Sequence, residues 1–281
     1  MRRSENQFDK IFVHTSYLIH YRRQRRVRWS LEPGADYSLL FVIAGKLTLG
    51  EKDLGAVLDA KSGLLLNPGD DGTAQASDAE FFTFKLSAAF VLDCAVRARL
   101  LRSGSVVSFH PRALEYSDRV ARTLRELAEE LTSEQAGKDV VIAALVEQLV
   151  VQLLRDHSQV RRSPEMEVSR AGLVDRRIRR AVELMHAHLD RDLPLDEIAA
   201  AAFLSPFHFS RLFKKLTGNT PHAYLAGLRT ARAETLLAET DLSITEISAR
   251  VGYASPSHFT KAFRHATGLT PRGFRAALVR V

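Results

Sequence analysis

The 281-residue chain has one cysteine, Cys94, one tryptophan, Trp29, and three methionines. A lone cysteine excludes a disulfide framework and any structural zinc site built on cysteines. It also fits a reducing, intracellular compartment. Histidine is missing between His20 and His110, so the part of the chain richest in strand formers lacks the imidazoles that a catalytic metal would need. Long apolar runs are missing too. The most apolar stretch, 140–154, is interrupted by Glu147, Gln148 and Gln152 and is too short and too polar to cross a bilayer. The first seven residues, MRRSENQ, are followed by no apolar run, which is not the pattern of a signal peptide. The expectation is a soluble cytoplasmic chain with no membrane partner, no metal and no cofactor.

What is present suggests two domains. The length and the 46% hydrophobic content suffice for two separate cores. Formal charge is +7, and it is unevenly placed. Residues 171–281 hold 16 basic and 10 acidic side chains, residues 1–28 hold 8 and 2, and residues 29–170 are net −5. A basic C-terminal third behind an acidic middle points to a polyanion-binding module attached to a domain of another kind. Scattered solvated arginines are the plainer alternative.

Residues 27–86 read as short strands. The segment 37–43, YSLLFVI, runs into Ala44-Gly45. Two further apolar triplets and the segment 81–86, FFTFKL, follow with Gly, Pro and Asp punctuation. This spacing argues for a β-sandwich or small barrel. The period then changes. Val120, Leu124, Leu127 and Leu131 make one helical stripe. After a polar break, 139–157 is apolar nearly all round and needs cover on several sides, from within the subunit or from a second copy. A polar stretch over 158–172 reads as a linker.

Beyond it the chain repeats itself. Residues 205–213, SPFHFSRLF, match 255–263, SPSHFTKAF, at an offset of 50, and Leu195-Asp-Glu-Ile198 matches Ile244-Thr-Glu-Ile247 at 49. Each copy resolves into helix, turn, helix. Ser243 and Glu246 form a capping box for the first helix of the second copy, where the first copy has Pro194. Ser-Pro starts the second helix of each copy, with Ser as N-cap and Pro at the first helical position. Gly218 and Gly268 stand where a C-terminal cap is needed. The buried stripe is Phe209, Leu212, Phe213 and Leu216 in one copy and Phe259, Ala262, Phe263 and Ala266 in the other. The opposite face offers Phe207, His208, Ser210, Arg211, Lys214 and Lys215, then Ser257, His258, Thr260, Lys261, Arg264 and His265. Such side chains hydrogen-bond base edges and neutralise phosphates, and a helix fits the major groove. The connecting segment 221–239 is about 28 Å long if helical. Successive major grooves lie about 34 Å apart, so one chain can address both.

These residues resemble the DNA-binding domain of the AraC/XylS family of bacterial transcription regulators. The match runs through Ile198-Ala199, the block 205–214, Gly218, Pro221, Tyr224, Arg229, Ala233, Leu236-Leu237, Val251-Gly-Tyr253, Gly268-Leu-Thr-Pro271 and Phe274-Arg275. It departs at Phe203, where the family usually has a turn glycine; a left-handed backbone there costs a non-glycine about 1–2 kcal/mol. The resemblance implies that Phe207, Ser210, Arg211 and Lys214, then Ser257, Thr260, Lys261 and Arg264, face double-stranded DNA. It also implies a cupin-like sensing domain, a homodimer and contact with RNA polymerase. The resulting fold class is α+β with two domains. Residues 1–157 form a cupin-like β-barrel with a helical hairpin (strands about 27–86, helical pair about 114–157), 158–172 a linker, and 173–281 an all-α domain with two helix-turn-helix units.

The expected activity is that of a ligand-responsive, sequence-specific regulator without catalysis. Its candidate effector residues are Arg22, Arg26, Trp29, Asp36, Tyr37 and Ser38. The default effector is a sugar or an aromatic compound near Trp29 and Tyr37. The pair Arg22 and Arg26 followed by Asp36-Tyr-Ser38 is similar to a PilZ-type cyclic-dinucleotide clamp, with Phe41 where that signature has glycine; a solvated charge run is the alternative. Two other functions make different demands on the chain. An architectural DNA-bending protein would show little sequence preference. An alkyl-DNA repair enzyme would need a zinc site and a reactive cysteine, and Cys94, in the context Leu-Asp-Cys-Ala-Val, reads instead as a buried small hydrophobe.

Overall fold

The computed structural model describes residues 7–31, 34–50, 56–100, 106–110, 112–161, 176–217 and 219–279. In the N-terminal half, β1 (Phe8–His14), β2 (Tyr17–Leu31), β3 (Tyr37–Leu49), β4 (Val57–Leu58), β5 (Ser62–Leu66) and β6 (Gly72–Leu86) precede helix α1 (Ala88–Arg97). After these come β7 (Val106–Phe109), β8 (Ala113–Glu115), α2 (Asp118–Thr132), α3 (Lys138–His157) and β9 (Ser158–Arg161). Seven strands form one antiparallel sheet in the order β1-β2-β6-β3-β5-β8, with β4 on β3, while β7 and β9 make a separate ribbon.

The alternation of a strand explains the two cores. Leu39, Phe41, Phe82 and Phe84 point to one face, where Val120, Leu124, Leu127 and Leu131 of α2 and Ile142, Val146, Leu149 and Leu153 of α3 cover them. Leu40, Val42 and Phe81 point to the other face and pack with Leu47, Leu64 and Leu66 inside the β domain. A strand buried on both faces reads as a continuous apolar run, and Leu39 to Val42 are all at most 1% exposed. Burying each such side chain contributes about 1.5–3 kcal/mol. Cys94 is buried and free.

Three boundaries differ from the sequence reading. Strands begin at Phe8 rather than about 27, because the arginine run lies within β2. Arg22 is buried there opposite Asp9 of β1, whereas Arg26, four residues on and on the same face, lies past the end of β1 and is exposed, a difference that uniform charge conceals. Leu114 belongs to β8, so the first helix of the pair starts at Asp118, behind the N-cap Ser117. The polar stretch expected to be linker starts as β9, paired with β7 from Ser158 to Arg161; its remainder, 162–172, lies outside the described residues.

The C-terminal half is helical: α4 (Arg176–Ala187), α5 (Leu195–Ala201), α6 (Pro206–Thr217), α7 (Pro221–Glu239), α8 (Ile244–Arg250), α9 (Pro256–Thr267) and α10 (Pro271–Ala277). Two clusters divide it. Ile178, Met185, Ile198, Phe209, Phe213 and Leu225 form the first. Ala233, Leu236, Leu237, Ile247, Phe259, Phe263 and Phe274 form the second, which also takes in Ile11 of β1. The single helix α7 serves both. The second unit is thereby docked on the β domain, where Val279 also donates a backbone hydrogen bond to the Ile11 carbonyl at 2.7 Å.

Candidate nucleic-acid interface

Each second helix of the repeat is aimed by its ends and its buried stripe. Phe209 and Phe213 in α6, and Phe259 and Phe263 in α9, are at most 1% exposed. Leu212 and Ala262 are half-buried and Ala266 is exposed. Helix α8 carries the complete capping box, with Ser243 and Glu246 bonded reciprocally. Pro194 stands at the N-cap of α5 without a side-chain bond. Gly268 closes α9 in left-handed conformation, φ 79°; Gly218, expected to do the same for α6, lies outside the described residues, as do the side chains of Lys215 and Leu216.

The faces left over match the sequence expectation. Phe207, His208, Arg211 and Lys214 are exposed along α6, with Ser210 half-buried between them. Phe207 is 68% exposed, and the Arg211 guanidinium lies 5.8 Å from its ring centroid. On α9, Ser257, His258, Lys261, Arg264 and His265 are exposed and Thr260 is half-buried. Exposed cations and hydrogen-bonding groups on a rigid helix are what phosphate positioning and base-edge readout need.

Behind α9 lies a cavity of about 570 Å³. Its floor is the β domain, with Leu18 and His20 of β2, Ser38 of β3 and Thr83 and Lys85 of β6, together with Trp29 and Asp36. Its roof is helical. Alpha7 supplies His222, Ala226, Thr230 and Glu234, spaced four apart on one face, and α9 supplies His258, Lys261 and His265. One face of α9 therefore forms part of a chamber between the two domains.

The ionisable groups of the cavity are distinct in their surroundings. Lys85 Nζ lies 3.8 Å from Glu234 Oε2. Glu234, and secondarily Asp36, raise the Lys85 pKa against the effect of burial. Burial raises the Glu234 carboxyl, opposed by Lys85, and burial likewise raises Asp36. Burial lowers His20 to about 4, even though Asp9 accepts its hydrogen bond.

Of the six expected effector residues, Trp29, Asp36 and Ser38 line the cavity and Arg22, Arg26 and Tyr37 do not. Tyr37 points to the opposite face of β3, where its hydroxyl donates to the Val107 carbonyl at 2.7 Å. Arg22 is 2% exposed, paired with Asp9 at 3.0 Å and lying over the Phe81 ring. Its guanidinium also faces the C-terminal end of α9, since a Cβ at Gly268 would lie 3.3 Å from Nη1. Arg26 is exposed. Pair geometry for clamping a dinucleotide is thus missing: Arg22 already has a carboxylate and a helix C-terminus as partners. Lys85, Thr230 and Glu234 escaped the sequence reading. For Thr230 and Glu234 the available signal was the four-residue spacing of His222, Thr230 and Glu234, with Ala226 between them, along one face of a helix; Lys85, on β6, had none.

Comparison with known proteins agrees with both halves. A family model described as Cupin matches residues 15–159, more than half of the chain, and one described as Helix-turn-helix domain matches residues 198–277. The chain belongs to the cupin family and carries an AraC-type helix-turn-helix domain. It is 36% identical over 80 residues to the regulatory protein PocR of Salmonella typhimurium, covering 28% of this chain and 26% of that one. It is 33% identical over 124 residues to the HTH-type transcriptional regulator ArgR of Pseudomonas aeruginosa, covering 44% and 37%. The matched part is thus well under half the length of these relatives, which are regulators by name. An apo ToxT variant from Vibrio cholerae has the same two-domain fold, with a TM-score of 0.63 at 12% identity over 94% of this chain and 98% of that one. No described helix is long and apolar enough to cross a membrane.

Proposed function

We propose that the chain is a ligand-responsive, sequence-specific DNA-binding transcriptional regulator whose effector enters the cavity beneath α9. One observation carries this reading: Lys261 belongs both to the polar face expected to meet DNA and to the wall of the cavity. A ligand in the chamber and DNA in the groove then act on one helix, and their coupling is reciprocal. The proposed DNA contacts are Phe207, Ser210, Arg211 and Lys214 on α6 and Ser257, Thr260, Lys261 and Arg264 on α9. The proposed effector contacts are Trp29, Asp36 and Ser38, joined by Lys85 and Glu234. A ToxT structure of similar fold is described as unsaturated fatty acid bound; at 13% identity it supports the fold and leaves the effector of this chain to its own residues. We assign dimerisation to the exposed apolar side chains Leu92 and Val96 of α1 and Val140 and Val141 of α3, and RNA polymerase contact to the DNA-bound state.

DNA binding tests the reading directly. Titrations of selected and random duplexes against salt should show a clear preference for the selected site. Arg211→Ala and Lys214→Ala should each reduce the salt dependence by about one phosphate contact. Equal affinity for random DNA would establish the architectural alternative instead.

A further inference from the structure

The charged groups that line the cavity are two carboxylates and two ammonium groups, and they are not all paired. Asp36 and Glu234 supply two carboxylates to its inner part and Lys85 supplies one ammonium. That ammonium sits on Glu234, at 3.8 Å. Asp36 is half-buried, lines the chamber, and has neither a hydrogen bond nor an ion pair among the described residues. Lys261 also lines the cavity but is exposed on the outer helix and pairs with neither carboxylate. His20 adds no charge, because burial holds its pKa near 4.

A carboxylate held partly out of water in a half-open cavity favours a cation beside it. Among polar neighbours such as Ser38, Thr83 and Thr230, the cavity wall also carries apolar side chains, Leu18, Trp29, Phe84, Ala226, Tyr253 and Phe274. Space for the ligand's body is left deliberately open along α7. Gly227 lies inside a 19-residue helix, lines the cavity, and a Cβ built on it meets nothing within 4 Å. Glycine in a helix interior costs about 1 kcal/mol relative to alanine, so its presence there suits a chamber more than a helix.

We infer that the effector is an organic cation: an ammonium group seated against Asp36, with an apolar body lying along Trp29 and the Ala226–Gly227 side of α7. This rests on the reading of the cavity as the effector site and adds its chemical class. A simple anion carries the same charge as Asp36, and a neutral sugar gives that carboxylate no ion pair; Lys85 acts on it through space while paired with Glu234.

The test uses three probes of equal chain length and different head groups, n-octylamine, n-octanoate and n-octanol. Each is titrated into the full-length chain by calorimetry, with thermal shift in parallel. Octylamine is expected to bind at least tenfold more tightly than the other two. Asp36→Asn should remove at least tenfold of that affinity, and Gly227→Phe, which fills the chamber, should abolish it. Octanoate or octanol binding as tightly as octylamine, or octylamine binding unchanged in Asp36→Asn, overturns the cationic class. So does the absence of binding by all three. The wild-type comparison of head groups decides the class even where a variant fails to fold. The cavity reading fails separately: octylamine binding that survives Gly227→Phe places the site elsewhere. Octanoate binding that Gly227→Phe abolishes keeps the cavity and discards the cation.

Discussion

At the turn between its two helices the first helix-turn-helix unit has Phe203 and the second has Gly252, and both backbones are left-handed, at φ 55° and 76°. Phe203 is 75% exposed, with the Arg180 guanidinium 5.1 Å from its ring centroid. Gly252 is pressed against the other unit, where an added Cβ would collide with the Leu189 carbonyl oxygen. The same template therefore tolerates a side chain in one copy and forbids it in the other. The copies also differ in their neighbours. The core of the first unit is made from its own helices and α7, whereas that of the second takes in Ile11, with Val13 and Leu18 packed against it. Repetition sets the shape of each unit, and the surroundings decide which one the β domain can hold.

Gly252→Ala should show the largest effect of this asymmetry. A collision with backbone adds to the left-handed cost, so we expect a loss of about 3 kcal/mol or more in chemical denaturation. Phe203→Ala, which meets no such neighbour, should change stability by less than about 1 kcal/mol. A comparable loss at both positions would mean that the two turns are equivalent after all.

Acid should act on the docked side. The His20 pKa falls from 6.5 to about 4 in the folded chain, so the unfolded state binds the proton more readily. The corresponding stability is complete above pH 6.5 and is lost as the pH falls through about 4, amounting to about 3 kcal/mol. Asp36 and Glu234 have raised pKa values and act in the opposite sense, favouring the folded state on the acid side. A pH series of unfolding free energies in wild type and His20→Gln isolates the histidine. The decline between pH 6.5 and 4 should flatten in the variant, and an unaltered slope would assign it to other groups.

Smaller effects separate the helix starts. Ser243→Ala removes the capping box of α8 and should cost about 1 kcal/mol, while Pro194→Ala at the uncapped start of α5 should cost less. The two melting temperatures, compared in one background, check the ranking. Smallest of all, Phe203→Gly should stabilise the first unit by about 1 kcal/mol or slightly less, because relief of the left-handed backbone is partly offset by losing the Arg180–ring contact. A destabilised Phe203→Gly would show that the ring contact outweighs the backbone.

Legibility varied with how local the cause was. The helix-turn-helix units were readable because caps, proline starts and four-residue spacing act within a few residues, and the stripe Phe209, Phe213, Phe259 and Phe263 is buried as expected. Segment 221–239 is one helix to the residue. The arginine cluster was only half readable. Its charge was plain, but whether Arg22 met a ligand or a carboxylate depended on Asp9, which another strand brings to it. The cavity was least readable, since Asp36, Lys85 and Glu234 are separated by 49 and 149 residues along the chain.

By itself the sequence determined the elements whose physics is short in range: the repeat, the caps, the polar recognition faces, the strand-rich half and the lone unreactive cysteine. Only the tertiary structure decided that the second unit shares its core with the β domain, that Arg22 lies beneath the end of α9, and that Asp36 lines the chamber between the domains without an ion pair among the described residues. The physical reason is distance. A cap or a stripe is settled by neighbours along the chain, whereas the pairing of charges in a cavity exists only once remote strands and helices have met.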